Sequence, residues 1–485
     1  MRPIRNFWIW VYFLGIFPLG VTLSFADEES KTFSLQECID HALQKNPNLL
    51  SIKESLVKNK GLIVEAGAGA LPQVTAGGKL QTEDKGRFGE PFGPPQNEDS
   101  WGVSLRVTQV VFAGGKQNAA IDSARFLEQS ILQDIQTTVD ELILGIRRSY
   151  YQALLQRDLI QVSEKSIQLL QEEVDQQRKK LDAGSATKFN VLRVEVELAN
   201  AKPPLIRAKN AYQNALAELS QLMGYSLTKN LKSVPFHVGG DFLQEPPVFE
   251  VETFLERSVR HRAELKSIQH QIQSQEKRVK VHRAAMLPSF SIFGGYDWFN
   301  DFREKEIDRI NEGYVAGIQG DWKIFDGFES KAKIDQTRSE IRQLQHQWED
   351  QKSTIELQVR RGYSNFLEAQ ELLSSQQKNV ESAEESLRLA RVREQAGAGL
   401  QIDILSSQVA LTQSRTNEIQ AKHDLSVALS ELERFTGIPM VLLDSTLPIS
   451  QDPLPEAKVE IRRAEGVVRI PEKRPATPET ALSEP

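Results

Sequence analysis

Two periodicities alternate along this chain. The first is helical. From Lys116 to Asp182 there is no proline and one interior glycine, Gly145, and residues 330–395 match that stretch in length and also lack proline. A helix over the first stretch would run about 100 Å at about 1.5 Å per residue. Helices this long predict an elongated, coiled-coil-like architecture. Each stretch stops at an Ala-Gly pair, Ala183-Gly184 and Ala396-Gly397, where glycine suits the left-handed position just past a helix. A few residues on, Asn190 and Asp403 are expected to N-cap a returning helix. The pattern predicts two helical hairpins with tips near 184–189 and 397–402.

The second periodicity is that of strands. In 73–81, Val74, Ala76 and Leu80 alternate with Gln73, Thr75, Lys79 and Gln81. In 101–108, Trp101, Val103, Leu105 and Val107 alternate with Gly102, Ser104, Arg106 and Thr108. Later, Phe290, Ile292, Tyr296 and Trp298 stand against Ser289, Ser291 and Asp297. Tyr314, Ala316, Ile318 and Trp322 stand against Gln319, Asp321 and Lys323. Period 2 over such lengths signals four strands, in pairs joined by the Gly-, Pro-, Asn- and Asp-rich loops 83–100 and 300–312. Their apolar face either packs on a soluble core or meets lipid. The flanking helices are polar and too long to fold back as a second layer, and strands of about ten residues fit an outer membrane when tilted. Four strands cannot close, and lipid does not tolerate an open sheet edge. Several chains must then share one barrel.

The two halves repeat one another. Arg147-Arg148-Ser149-Tyr150 recurs as Arg360-Arg361-Gly362-Tyr363, Asn190-Val191-Leu192 as Asp403-Ile404-Leu405, and Glu218-Leu219 as Glu431-Leu432, each 213 residues later. Upstream, Leu71-Pro72 matches Leu287-Pro288 at 216. A constant offset over more than 100 residues is not what chance similarity between two coiled coils gives. The expected organisation is a leader at 1–26, one copy over 27–225, a linker at 226–250, a second copy over 251–438 and a Pro-rich tail at 439–485. Pro203-Pro204 inside the first returning helix has Thr416 and Asn417 as its counterpart and predicts a kink there.

Composition alone points to a soluble helical protein. Hydrophobic residues make up 40% and charged residues 26%, and mean hydropathy is −0.40. Half-polar barrel strands escape such averages. Residues 1–26 read as a secretory signal: Arg2 and Arg5, the apolar run Phe7 to Gly20, then Ser24-Phe25-Ala26. Its removal takes the formal net charge from −7 to −9, against nucleic-acid binding. The single cysteine, Cys38, excludes an intramolecular disulfide framework. No GxxxxGK[ST] or HExxH occurs. The reading is that the chain is no enzyme, with no catalytic residues, cofactor or metal site.

The leader, the twofold strand–loop–strand–hairpin unit and the AG-x₅-[ND]-[VI]-L tips together resemble the TolC family of outer-membrane efflux and secretion channels, over about Ser34 to Gly437. That resemblance implies an α+β membrane protein. Three chains would form one twelve-stranded transmembrane β-barrel, four strands each, continuous with a long periplasmic α-helical barrel. Residues 225–250 and part of the C-terminal region would form an equatorial domain. It implies a passive outer-membrane duct, homotrimeric and bathed in outer-membrane lipid. The tips, at Ala183, Gly184, Ala396 and Gly397, would dock onto a periplasmic adaptor coupled to an inner-membrane ABC, RND or MFS transporter. The resemblance also implies a periplasmic gate. Asp403 matches the family's first gating aspartate in the second tip. Ser406 stands at the second aspartate, Gly399 at a position that often carries a linking arginine, and Asn190 at the first-tip aspartate. Asp403 is thus expected either to ring the pore as a carboxylate or only to cap its helix. Alternatives are a periplasmic adaptor, which carries one hairpin, and a secreted coiled-coil structural protein, which has no barrel strands.

Overall fold

A computed structural model describes residues 31–82, 84, 99–225, 236–242, 258–300 and 310–437. The expected leader, most of both strand-connecting loops and the tail lie outside the described residues. In order, the elements are β1 (Lys31–Phe33), α1 (Leu35–Lys45), α2 (Pro47–Ala68), β2 (Gln73–Thr82), β3 (Asp99–Phe112), α3 (Lys116–Asp182) and α4 (Lys188–Leu222). Then come β4 (Phe236–Val238), α5 (Ala263–Ala284), β5 (Ser289–Phe299), β6 (Asn311–Asp321), α6 (Glu329–Gln395) and α7 (Gln401–Thr436). The long helices α3 and α6 each have 67 residues. Two helices, α1 and α2, lie between β1 and β2, because Pro47 holds Asn46 at ψ 123, out of the helical region. α4 runs as one helix through Pro203-Pro204.

The four strands form one antiparallel sheet in the order β2-β3-β5-β6. Its register aligns the apolar positions across all four strands: Ala76 with Leu105, Leu105 with Tyr296, and Tyr296 with Tyr314. The polar set falls on the opposite face, with Gly77, Ser104, Asp297 and Gly313 in line. A one-residue slip at any pairing would mix the faces. A bulge after Val110 brings Phe112 opposite Phe290. The fourth strand ends at Asp321, short of the expected Trp322 and Lys323. The Trp322 indole turns to the end of α5, donating to the Met286 carbonyl at 3.1 Å.

Corresponding joints of the two halves share geometry while differing in chemistry. Gln109 Nε2 donates to the Ala70 carbonyl at 2.9 Å, where Trp322 serves 213 residues on. Asn46, at the start of α2, donates through Nδ2 to the Leu222 carbonyl at the end of α4 (2.8 Å). Arg262, at the start of α5, does the same for the end of α7, reaching the carbonyls of Arg434 (3.3 Å) and Phe435 (3.1 Å). Each short helix thus satisfies orphan carbonyls of a returning one. Left-handed backbone recurs too: Gly115 (φ 80) before α3 and Phe328 (φ 68) before α6. Phe328 is the one non-glycine in that region among the described residues.

α3 packs against α2 and α4 and also against α5 and α7. At one level its Tyr150, Tyr151 and Leu154 join Cys38, Leu216 and Leu219 in a core that also takes Phe33, Phe236 and Val238 of the two-stranded parallel sheet β1-β4. Burial pushes the Cys38 thiol up to about 12, with help from Glu37. Gly224 ends α4 at φ 79, where a Cβ would lie 2.5 Å from the Lys45 carbonyl oxygen. A second core, on α6 and α7, holds Ile355, Val359, Phe366, Leu425 and Leu432. Beside it Glu264 accepts from Arg262 (2.8 and 3.0 Å) and from Arg434 (2.6 Å).

The returning helices begin one turn earlier than expected. Thr187 caps α4, its Oγ1 accepting from the Asn190 amide at 3.3 Å. Leu400 occupies the cap of α7, and the Asp403 carboxylate reaches back to its amide at 3.3 Å. Asn190 and Asp403 are therefore third residues of their helices, not caps. The turns set this: Ser185 and Ala398 already bond back to α3 and α6, so the chain re-enters helix as soon as it leaves them.

Two outcomes are expected. Thr187→Ala should cost about 1 kcal/mol at the start of α4, read as faster hydrogen exchange at 188–191, while Asn190→Ala leaves those amides protected. Burial alone would raise the Glu264 carboxyl, but Arg262 and Arg434 outweigh it and hold it at about 2. A depressed carboxylate stabilises the fold above its unfolded value of about 4.3 and loses that contribution as pH falls toward 2. Glu264→Gln should lower the melting temperature at pH 7 and flatten its fall between pH 4.5 and 2, followed by circular dichroism.

Candidate functional site at the helical tips

Both long helices end in the same motif. At the first tip the Gly184 amide donates to the Leu181 carbonyl (2.9 Å) and Ser185 to Lys180 (2.8 Å). At the second, Gly397 donates to Glu394 (2.9 Å) and Ala398 to Arg393 (3.0 Å). Ala183 and Ala396 are the helix caps, and Gly184 and Gly397 follow at φ 74 and 75. This pairing of bonds closes a helix with a left-handed residue, and a side chain at either glycine would be strained. The four residues expected at the tips are therefore the turns themselves.

The gate candidates fall on these tips with distinct surroundings. Asp403 is exposed and makes no ion pair among the described residues; its carboxylate accepts from the Leu400 amide at 3.3 Å. Ser406 is exposed, its hydroxyl donating to the Asp403 carbonyl at 3.1 Å. Gly399 packs on the last turn of α6, where a Cβ would lie 2.7 Å from the Glu394 nitrogen and 3.0 Å from the Arg393 carbonyl carbon. That contact explains the glycine at a position where the resemblance leads one to look for arginine. Asn190 sits in the first turn of α4, and no bond joins it to the second tip among the described residues. The structure brings Asp403, Ser406 and Gly399 together and leaves Asn190 apart.

Other residues join the two tips. The Lys180 ammonium of α3 pairs with Glu394 of α6. Gln401, at the start of α7, donates to Glu173 of α3, which also accepts from the buried Gln177 at 2.9 Å. Arg178 bridges α3 to α4 through Glu195 at 2.6 Å. Beneath these bonds Leu405 of α7 is buried among Leu170, Val174, Val194 and Leu198 of the other hairpin. Lys180 and Glu394 stand 214 residues apart, so no local spacing announces them. Deeper in the bundle Arg147 pairs with Glu433, and Arg148 with Glu431 at 2.5 Å. The repeated Arg-Arg pair marks position in the sequence; its role as the tie between α3 and α7 appears only in the fold.

Among the described residues no helix is long and apolar enough to cross a membrane. The candidate for lipid contact is the apolar face of the sheet, where Leu80, Tyr314 and Ile318 stand at least three-quarters exposed.

Comparison with known proteins agrees with this architecture. The alkaline protease secretion protein AprF of Pseudomonas aeruginosa is 22% identical over 368 residues, 74% of this chain and 73% of that protein. The outer membrane protein TolC of Vibrio cholerae is 18% identical over 87% of this chain and 95% of its own length. Among solved structures, the outer membrane protein VceC of Vibrio cholerae superimposes with a TM-score of 0.70 at 16% identity, covering 83% of this chain and 96% of VceC. The model of the outer membrane efflux protein family matches residues 38–225 and 255–438. Those two segments span most of the chain and between them hold both hairpins and all four sheet strands: this protein belongs to the outer membrane efflux protein family.

Proposed function

We propose that this chain is one of three identical protomers of a passive exit duct. Three copies of the four-stranded sheet make a twelve-stranded outer-membrane barrel, and the hairpins make a helical tunnel in the periplasm. Each chain is built from two tandem copies, 27–225 and 251–438, joined by the 226–250 linker. The observation that carries this reading is the sheet. It has one continuous apolar face, and its outer strands β2 and β6 each pair on one side only. Open edges are not tolerated in lipid, so the sheet needs further copies to close it. The polar composition suits helices wet on the lumen and on the outside.

The duct has no motif for hydrolysing nucleotide, so the driving force comes from an inner-membrane transporter through a periplasmic adaptor docked on the tips around Ala183-Gly184 and Ala396-Gly397. The cargo lies within the scope of the relatives' names, efflux for the family and protease secretion for AprF.

The closed state is held by the bonds between the tips, Lys180 to Glu394 and Gln401 to Glu173, in place of the arginine link that Gly399 cannot provide. Around the axis, three exposed Asp403 carboxylates narrow the pore and favour cations. Planar bilayers test both. Purified protein should give discrete channels, and their absence would overturn the duct. Lys180→Ala or Glu394→Ala should raise closed-state conductance several-fold. Asp403→Ala should relax cation preference, whereas an unchanged reversal potential in a salt gradient would reduce Asp403 to a helix-starting residue.

A further inference from the structure

The two joints between the sheet and the helices differ in charge and in what they leave uncovered. α2 and α5 are both helices of 22 residues, leading into β2 and β5. At the offset of 216, Gly61, Leu62, Val64 and Gly67 of α2 become Lys277, Arg278, Lys280 and Arg283 of α5. Over 60–67 Lys60 and Glu65 cancel, whereas over 276–283 four cations stand against Glu276, a formal +3 with histidine neutral. Cations near a helix C-terminus complement its dipole, but the helix does not require them: α2 has no basic residue in its last turn and reaches the same length. Lys277 pairs with Asp122 of α3 at 2.7 Å. Lys280 and Arg283 stand three apart on one stripe of α5. Both are exposed, and neither makes an ion pair among the described residues.

The other side of this joint is aromatic. Residues 322–328 carry the chain from β6 into α6. The bond from Trp322 to the Met286 carbonyl, just past α5, holds the start of this segment beside the basic turns. Lys323 follows, exposed and without an ion pair among the described residues. Phe325 and Phe328 are 74% and 67% exposed, and their rings meet edge to face at 5.5 Å. Phe328 holds its left-handed backbone where the first half has Gly115. That conformation is strained for phenylalanine, and its ring gains little burial within the chain. The open space belongs to the joint itself. A Cβ at Gly115 would meet nothing within 4 Å, although α5 is packed on α3. Exposed rings beside unpaired cations, at the end of a sheet with an apolar face, match a membrane interface: rings sit at headgroup level and long basic side chains reach phosphate.

We infer that, in the barrel proposed above and resting on it, the second joint binds anionic phospholipid of the periplasmic leaflet: Lys280, Arg283 and Lys323 hold the headgroup, and Phe325 and Phe328 enter the acyl boundary beside it. Charge sets the lipid class. A zwitterionic headgroup carries its own cation, which these side chains repel, whereas an anionic one leaves its phosphate unopposed. The first joint, with no net charge at the end of α2 and with glycine at 115, holds no such lipid.

The test uses the full chain in detergent with phosphatidylglycerol or phosphatidylcholine added, and native mass spectrometry to count retained lipid. The wild type should keep phosphatidylglycerol about tenfold better than phosphatidylcholine. Lys280→Ala with Arg283→Ala should abolish that preference. Lys58→Ala with Lys60→Ala, which removes the same charge from the first joint, should leave it intact. Phe325→Ser with Phe328→Gly, which also relieves the left-handed backbone, should lower retention of both lipids. Equal retention of the two lipids by a wild-type trimer overturns the headgroup site and leaves the duct standing. An equal loss from the Lys58 and Lys60 variant overturns its placement at the second joint. Displacement of the lipid by excess inorganic phosphate overturns the lipid in favour of a free-anion site. A chain that forms neither trimers nor channels in planar bilayers overturns the barrel, and this site with it.

Discussion

A helix of 67 residues cannot bury its own apolar stripe, and everything else in this molecule follows from supplying it with neighbours. α3 meets the need inside the chain. Its own returning helix takes one side, and the second half of the chain takes the other, through Ser130 and Ser267, Lys277 and Asp122, and the paired arginines with Glu431 and Glu433. The surface ion pairs at this seam are each worth little, about 0–1 kcal/mol. Arg147 with the nearly buried Glu433 is the exception, since removing one partner would strand the other charge. α6 has the same length and the same need but only half the cover.

The joints between sheet and helices show which parts of the geometry are indispensable. The end of each returning helix must be tied to the start of a short one, and Asn46 does this with an amide where Arg262 uses a guanidinium. The guanidinium brings a charge into a buried place, and Glu264 and Arg434 form the network that keeps it satisfied. Likewise Gln109 and the Trp322 indole make one hydrogen bond with different groups. What recurs is a donor at a fixed point, because an orphan helix carbonyl asks only for a donor.

The sheet imposes the complementary constraint. Its register gathers Leu80, Leu105, Tyr296, Tyr314 and Ile318 on one face, which in water would be a large exposed patch. Membership of the outer membrane efflux family gives that face its solvent. The polar face, with Arg106 lying over the Phe293 ring at 5.6 Å, looks the other way. Within the described residues, β2 and β6 each pair on one side only and one flank of α6 is exposed.

Much of this was legible in the chain. Period 2 located the four strands of the antiparallel sheet, the proline-free stretch 116–182 coincides with α3, and Ala-Gly located both tips, because these signals are local: they depend on the stereochemistry of a few consecutive residues. The caps were misassigned by one turn. Asn190 and Asp403 are good capping types, but where the helix resumes was settled by how Ser185 and Ala398 bond backwards. Trp322 fits the alternation and still leaves the strand, its indole reaching the Met286 carbonyl just past the end of α5. The ties between tips, Lys180 to Glu394 and Gln401 to Glu173, had no sequence signature at all. They join residues more than 200 positions apart, and only packing α3 against the second hairpin brings those charges within reach.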